Sequence, residues 1–281
     1  MKNHLNIISE NARRIVSHDG AQKRLGQNFI LDMNITRKIV SFAHVGRNDS
    51  VLEIGPGPGG LTLAIIAKQP KYLVVIEKDR RCLPGLEGLA NQHRGECKVD
   101  IIPGDALAVM PRILHETPPG DPLIIIANLP YNIASPLLIQ FIHQRKHIKE
   151  MVLMFQKEVA QRIVAGPGSK HYGRLSIVTQ AFFKPTIVYH LAPSVFTPPP
   201  KVDSAVVHFT PHETTQDIPI KKLEYVTHIF FSSRRKTVGH IIKNYLSDNA
   251  AAQAILIPYA HLRPENLAMN IYIQVALTIK N

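Results

Sequence analysis

The sequence has 281 residues and contains neither a long apolar segment nor more than two cysteines. No apolar run reaches the roughly 18–20 residues that a membrane-spanning helix requires, so we expect no membrane association. Cys82 and Cys97 do not form a C-x-x-C pair. This spacing argues against a disulfide framework and against a cysteine-based zinc site, and we predict no metal and two reduced thiols. Internal repeats and low-complexity segments are also lacking.

The first 20 residues lack the apolar core and the small-residue cleavage site of a secretory signal. They contain Arg13 and Arg14 but also Glu10 and Asp19, which does not fit the acid-poor composition of a transit peptide. We therefore predict that residues 1–20 form a polar arm and that the protein is cytoplasmic.

Acidic residues are scarce relative to basic ones. The 33 lysines and arginines exceed the 21 aspartates and glutamates, which gives a net charge of +12. A soluble chain with this bias favours a polyanionic partner, and nucleic acid is the leading candidate. The alternative is an alkaline chain whose charge only aids solubility. The hydrophobic fraction of 45% is sufficient for a sizeable core.

Apolar runs alternate with helical patterns between about residues 50 and 210. This alternation predicts an α/β domain with a mostly parallel sheet and right-handed crossovers. The predicted strands lie at 51–55, 72–77, 98–103, 123–128, 150–155, 186–191 and 204–209. The predicted helices lie at 60–68, 80–90, 135–143, 157–165 and 174–183, with Pro136 in the first turn of its helix.

The composition changes near Thr210. Residues 211–219 resemble a linker, and only helical patterns follow, at 223–231, 237–246, 249–255 and 266–279. We therefore divide the chain into the arm, a main domain at 21–210 and a small all-α domain at 211–281.

A glycine-rich loop follows the first strand and opens a helix. Gly55, Gly57 and Gly60 allow close approach of the backbone to a ligand, and the helix N-terminus offers free N–H groups. Glu77 ends the second strand, where an acid can bind a ribose diol. These residues also fit a dinucleotide-binding pattern, so an NAD oxidoreductase is an alternative at this point.

Further polar residues lie at strand ends. Glu53 precedes the glycines, and Asp105 follows the third strand, where a carboxylate could bind an adenine amino group or cap a helix. Asn128-Leu129-Pro130-Tyr131 follows the fourth strand. An amide oxygen accepts a hydrogen bond from an amino group and a tyrosine stacks on a planar ring, which predicts a site for a flat molecule with an exocyclic NH2.

Several motifs together resemble those of the small-subunit rRNA adenine N6-dimethyltransferases. They cover most of residues 21–245, and they are KRLGQNF (23–29), GPGPGG (55–60), NLPYN (128–132), FQKEVA (155–160), VFTPPPKVDS (195–204) and FSSRRKT (231–237). The resemblance implies a Rossmann-like domain that uses S-adenosylmethionine, followed by a helical domain that contacts RNA. Position 30 is more often leucine in that family, and Ser233 stands where glutamine is common.

The resemblance also implies roles for individual residues. The implied cofactor-binding residues are Asn28, the backbone of Ile30, Gly55, Gly57, Glu77, Asp105, Ala106 and Asn128. The implied catalytic residues are Asn128, Leu129, Pro130, Tyr131 and Phe196, with the last two stacking on the target base. The predicted RNA-binding residues are Lys23, Arg24, Arg234, Arg235 and Lys236; a solvated basic helix face is the alternative for the last three.

The implied activity is dimethylation of N6 in two adjacent adenosines of a hairpin loop near the 3′ end of 16S rRNA. The implied partner is small-subunit rRNA within a 30S-like particle, and we expect a monomer. One alternative is a 23S rRNA adenine methyltransferase of the macrolide-resistance type. Another is a ribosome-assembly or transcription factor that binds nucleic acid without required catalysis.

Overall fold

The computed structural model describes residues 28–116, 122–213 and 218–280. The chain divides into two compact units, the first extending to Lys157 and including Thr186–Thr210, and the second formed by Glu158–Pro185 and the residues from Pro211 onward. One boundary between the units lies between Thr210 and Pro211. Residues 158–185, which the sequence assigned to the main domain, group with the later helices. The predicted arm at 1–20 lies outside the described residues.

Strands and helices alternate from residue 29 to residue 191, as predicted. The strands are β1 (Phe29–Ile30), β2 (Ser50–Ile54), β3 (Tyr72–Glu77), β4 (Lys98–Pro103), β5 (Leu123–Asn128), β6 (Ile148–Gln156), β7 (Phe183–Leu191), β8 (Phe196–Thr197) and β9 (Ser204–Pro211). The helices up to β7 are α1 (Met33–Val40), α2 (Gly60–Ile66), α3 (Leu83–Gln92), α4 (Ala106–Glu116), α5 (Tyr131–His143), α6 (Lys157–Val164) and α7 (Arg174–Gln180). The later helices are α8 (Ile220–Ser232), α9 (Val238–Tyr245), α10 (Ala250–Leu256) and α11 (Met269–Thr278).

Seven strands form one sheet in the order β4-β3-β2-β5-β6-β9-β7. Strands β4, β3, β2, β5 and β6 are parallel, and β9 is antiparallel to β6. The strand order reverses direction at β2, which has β3 on one side and β5 on the other. In open α/β sheets, ligands bind outside the carboxyl ends of the strands at this switch point. The separate two-stranded pairing of β1 with β8 is antiparallel.

The central strands are apolar because both faces of the sheet are covered. Val51, Leu52, Ile124 and Ile125 are fully buried. Glu53 interrupts this pattern with a carboxyl group that is also fully buried. The core thus contains one ionisable group within the strand that leads into the glycine loop.

Two helices near the predicted site were not predicted from the sequence. Helix α1 begins after Asp32, whose side chain accepts the N–H of Asn34 at 2.7 Å. Helix α4 contains Pro111, which weakens the helical pattern in the sequence.

The prediction for Pro136 was wrong, because α5 begins at Tyr131 and Pro136 lies inside it. Pro130 lies at the N-cap with an extended backbone, so the helix starts directly after the N-L-P segment. Since Pro136 has no N–H, it cannot donate to the carbonyl of Asn132.

The second unit is held by aromatic packing between its helices. The rings of Phe230 and Tyr272 meet edge to face with centroids 5.1 Å apart, and the Tyr272 hydroxyl donates to the Pro264 carbonyl at 2.5 Å. Burial and these contacts fix α8 against α11. Among the residues that the structure describes, no helix combines the length and apolarity needed to cross a bilayer.

Candidate active site

A cleft opens at the carboxyl ends of the parallel strands in the first unit. Its cavity volume is about 110 Å³. It brings together segments that are distant in sequence but adjacent at the switch point. Its walls are formed by Asn28, Phe29, Ile54, Gly55, Gly57, Ile76, Glu77, Lys78, Gly104, Asp105, Ala106, Asn128, Leu129, Pro130, Asn132 and Ile133.

Glu77 is a nearly buried acid at the end of β3. One carboxylate oxygen accepts the N–H of Gly57 at 3.0 Å, and the other accepts the N–H of Asp79 at 2.6 Å. Burial raises the pKa of Glu77, although these two N–H groups act in the opposite direction. The backbone N–H of Lys78 is a third hydrogen-bond donor to this carboxylate. A carboxylate has about four acceptor positions, so capacity remains for a hydroxyl group of a ligand.

Gly57 occupies a position that a larger residue could not fill. Its backbone has φ of +55°, in the left-handed region that side chains disfavour. A Cβ atom there would lie 2.6 Å from the ring of Phe29, which is closer than real contacts allow. The glycine therefore lets the loop turn beneath Phe29 while its N–H orients Glu77.

Asp105 lies at the end of β4, beside the cleft. One oxygen accepts a hydrogen bond from Lys78 Nζ at 2.7 Å, and the other accepts the N–H of Leu107 at 3.0 Å. The hydrogen bond from Lys78 lowers the pKa of Asp105, which stays ionised. Asp105 is thus both a cap of α4 and an acceptor exposed to the cleft.

Asn128 ends β5 at the centre of the cleft. Its side-chain nitrogen donates to the backbone carbonyl of Asn28 at 2.8 Å. Because a carbonyl can only accept, this contact defines which end of the amide is NH2. The Asn128 oxygen accepts no hydrogen bond from any residue described, so it remains free for a donor on a ligand.

The remaining predicted catalytic residues differ in position. Leu129 and Pro130 line the cleft, whereas Tyr131 and Phe196 are not among its walls. The Tyr131 hydroxyl shares a hydrogen bond of 2.6 Å with Ser204, and burial raises its pKa. Phe196 is only 2% exposed and pairs with Ile30 in the β1–β8 ladder. The structure thus does not present the Phe196 ring as a wall of the cleft.

Ile30 also lies behind the cleft and not on its surface. Its carbonyl oxygen would lie 2.8 Å from a Cβ atom placed on Gly60. The close approach shows why this loop position is a glycine. The contact predicted for the Ile30 backbone with a cofactor stays a prediction.

Glu53 has an unusual electrostatic environment next to this site. Neither carboxyl oxygen has a hydrogen-bond partner among the described residues. Burial raises the pKa of Glu53 to about 8, and the charge of Glu77 adds to this effect. Glu53 is therefore mainly protonated at neutral pH.

The predicted RNA-binding residues of the second unit lie in a turn between α8 and α9. Arg234 pairs with Glu265 at 2.7 Å and donates to the carbonyl of Lys170 at 2.7 Å. Arg235 and Lys236 are exposed. The guanidinium of Arg234 is thus used within the unit, while its two neighbours point to solvent. Lys23 and Arg24 lie outside the described residues.

Sequence reasoning missed several residues of the cleft wall. Phe29 and Asn132 were quoted only as parts of motifs, and Lys78 and Ile133 were not considered. Lys78 had a usable signal, since it directly follows an acid at a strand end. The pairing of Asn128 with the Asn28 backbone had none, because 100 residues separate the two.

The sheet order, the glycine loop and the acid at the end of β3 define the class of the first unit. It is a Rossmann-like domain of the S-adenosylmethionine-dependent methyltransferases. The family model for ribosomal RNA adenine dimethylases matches residues 18–274. The chain belongs to this family.

Individual relatives agree with the family match. The chain is 39% identical over 269 residues to a ribosomal RNA small subunit methyltransferase A of Allorhizobium ampelinum, covering 94% of this chain and 95% of the relative. It is 45% identical over 239 residues to the protein of that name from Ruegeria pomeroyi, covering 83% and 84%.

Solved structures show the same architecture. A dimethyladenosine transferase from Plasmodium falciparum has a TM-score of 0.76 at 30% identity, covering 88% of this chain and 95% of that one. The 23S rRNA methyltransferase ErmE has a TM-score of 0.65 at 21% identity, covering 89% and 99%, and it shares the fold. The predicted fold class, enzyme class and cofactor are confirmed, and the NAD oxidoreductase alternative is excluded.

Proposed function

We propose that the chain transfers methyl groups from S-adenosylmethionine to N6 of two adjacent adenosines in a hairpin loop near the 3′ end of small-subunit rRNA. One observation supports this most strongly: the oriented amide of Asn128 stands in the same cleft as Glu77 and Asp105. An acceptor fixed beside a nucleoside-binding cleft suits a substrate with an exocyclic NH2.

The cleft residues fit the cofactor. The oriented carboxylate of Glu77 suits the ribose hydroxyls. The carboxylate of Asp105 suits the adenine amino group, and Ala106 and the glycine loop let a flat purine approach the backbone. The carbonyl of Asn28, already held by Asn128, suits the methionine end.

The chemistry requires an available nitrogen lone pair and an aligned methyl group. The cofactor supplies an activated methyl group on a sulfonium. The Asn128 oxygen and the Leu129 carbonyl accept the two N6 hydrogens of the base. These bonds favour a pyramidal nitrogen and stabilise the positive charge that develops there, and the excess proton then leaves to solvent. Pro130 fixes the turn that orients the Leu129 carbonyl.

The target base must leave its stack to enter the cleft. Extrusion costs a few kcal/mol and less from a loop than from a duplex, which favours a hairpin-loop substrate. Tyr131 then stacks on the base, and Phe196 closes the other face once it is exposed. After the first transfer N6 retains one hydrogen, so a single acceptor suffices for the second.

The test of this mechanism is the substitution Asn128→Ala. Losing one oriented acceptor in a site of this kind costs about 10²–10³ in turnover. We expect S-adenosylmethionine affinity to change much less, because Glu77 and Asp105 still line the cleft for the ribose and the adenine. Asn91 is an exposed asparagine on α3, so Asn91→Ala serves as the control variant and should keep normal turnover. Near-normal turnover of Asn128→Ala would contradict the role.

The substrate is tested by offering the enzyme unmodified 30S subunits, free 16S rRNA and free 23S rRNA, with mass mapping of the modified nucleotides. We propose that a monomer acts on a 30S-like particle at two adjacent adenosines. Modification of 23S rRNA instead would favour the macrolide-resistance type. Tight rRNA binding without any methylation would favour an assembly factor. The relatives that are named ribosomal RNA small subunit methyltransferase A support modification of the 30S subunit.

A further inference from the structure

Three side chains with metal-binding donor atoms converge in the first unit, away from the cleft. His44 follows α1, Glu150 lies on β6, and His208 lies on β9. Their donor atoms all lie within 4.8 Å of one another. Glu150 is near the amino-terminal end of β6, whereas the cleft lies at the carboxyl ends of the parallel strands. The proposed methyl transfer does not use these residues.

The carboxylate of Glu150 is the centre of this cluster. Its Oε2 atom lies 2.7 Å from Nε2 of His208 and 2.9 Å from Nδ1 of His44. Its Oε1 atom accepts the backbone N–H of His44 at 2.7 Å. Burial alone would raise the pKa of Glu150, but the hydrogen bonds from His208 and His44 lower it to about 2. The carboxylate is therefore ionised and oriented at neutral pH.

We propose that His44, Glu150 and His208 form a binding site for a divalent transition-metal ion of the zinc class. Two imidazoles and a carboxylate are a common ligand set for such ions, and three protein ligands leave one position for water. The side chain of His44 is 79% exposed, which provides an entry path. His208 and Glu150, at 15% and 5% exposure, form the buried side of the site.

The distances require only a small opening. Zinc bonds of about 2.0–2.2 Å in a tetrahedral site separate neighbouring donors by about 3.3 Å. The present N···O distances of 2.7 and 2.9 Å must therefore increase by about half an ångström. The exposed side chain of His44 can move by this amount. The backbone of His208 pairs with Val152 and that of Glu150 with Ile124, so both backbones stay in place while the two side chains rotate slightly apart.

Metal binding requires each imidazole to change its tautomer, with no net gain or loss of protons. In the metal-free cluster each imidazole donates a ring proton to Glu150. On binding, that proton moves to the other ring nitrogen through solvent, and the vacated lone pair binds the ion. The bond from Oε1 to the His44 backbone is unaffected, so it holds the carboxylate in place as an orienting contact.

The prediction of no metal rested on the cysteines. A search for cysteine spacing could not find this cluster, because residues 44, 150 and 208 are far apart in the sequence. Only the pairing of β6 with β9 and the turn after α1 bring them together.

The test uses the full chain after treatment with a chelator, titrated at neutral pH with Co²⁺ and then Zn²⁺. We expect one Co²⁺ per chain with visible d–d absorption, displaced by Zn²⁺, and a Zn²⁺-dependent rise in melting temperature. His44→Ala should weaken Zn²⁺ binding at least tenfold without unfolding the protein, because the side chain is exposed. His208→Asn should also abolish the absorption band.

His190→Ala is the matched control, since this exposed histidine lies in the same unit outside the cluster. It should retain the Co²⁺ spectrum and the Zn²⁺ affinity of the original chain. Melting of each variant in chelator shows that it is folded. The proposal is overturned if the original chain shows no Co²⁺ band, or if His44→Ala and His208→Asn bind Zn²⁺ as tightly as His190→Ala does.

Discussion

The substitution Gly57→Ala tests whether the glycine loop is set by backbone geometry. A non-glycine residue at φ of +55° costs about 1–2 kcal/mol. The added Cβ would also lie 2.6 Å from the Phe29 ring, which must leave its preferred rotamer at a cost of about 0.5–1.5 kcal/mol. The combined cost is about 1.5–3.5 kcal/mol, which corresponds to about 10- to 300-fold in a binding constant.

Part of this cost appears as stability and part as affinity, so both are measured. Calorimetry gives the dissociation constant of S-adenosylmethionine, and urea unfolding gives the free energy of unfolding. The double variant Phe29→Ala/Gly57→Ala removes the clash but retains the backbone cost. Relative to Phe29→Ala alone, adding Gly57→Ala should therefore cost only about 1–2 kcal/mol.

Gly88→Ala is the matched control. Gly88 lies in α3 with nothing within 4 Å of an added Cβ, so alanine there should stabilise the helix by about 0.5–1 kcal/mol. The reasoning fails if Gly57→Ala leaves both the cofactor affinity and the unfolding free energy unchanged. It also fails if the effect of Gly57→Ala is the same with and without the Phe29 ring.

Three further predictions concern other groups. Because the pKa of Glu53 is about 8 in the folded state and about 4.5 when exposed, the folded state holds its proton more tightly, and stability should fall between those pH values. Glu53→Gln should remove this slope, which is at most about 1.4 kcal/mol per pH unit, in unfolding titrations at several pH values. Tyr131→Phe should cost about 1 kcal/mol in unfolding free energy through its lost hydrogen bond, whereas Tyr131→Ala should also reduce turnover by removing the stacking ring. Arg235→Ala and Lys236→Ala should each lower the slope of log K against log salt for RNA binding by about one unit and leave stability intact. Arg234→Ala should reduce the free energy of unfolding by roughly 1 kcal/mol, because its guanidinium is hydrogen-bonded within the unit.

The sequence predicted the sheet well because the pattern was strong. Short continuous apolar runs such as Leu123–Ala127, flanked by turn residues, favour buried strands over helices because of their length. Strands β3, β4 and β5 have the predicted bounds. The start of α5 was missed because proline at position 136 is equally compatible with a first turn and with a tolerated interior site. Residues 158–185 show helix and strand patterns like their neighbours, so local patterns could not reveal which unit they pack against.

The sequence predicted which residues lie at the site but not how their side chains are arranged. Glu77, Asp105 and Asn128 were found because strand ends share one edge of a parallel sheet. Side-chain geometry was not accessible in the same way. The burial of Phe196 behind the cleft depends on the β1–β8 pairing, which joins two residues of each segment across more than 160 positions. Short strands of this kind leave no periodic signal.

The cofactor cleft and the exposed basic residues lie in different units, so defects in cofactor binding can be separated from defects in RNA binding. All walls of the cleft belong to the first unit, and Arg235 and Lys236 belong to the second. Changes at Gly57 act on cofactor affinity through the loop, while changes at Arg235 act on RNA through charge. If the two binding events are independent, their free-energy costs add in a double variant to within about 0.5 kcal/mol. A larger deviation would mean that bound RNA orders the glycine loop or the walls around it. The sum of the two costs therefore distinguishes a preformed methyl-transfer cleft from one that the substrate completes.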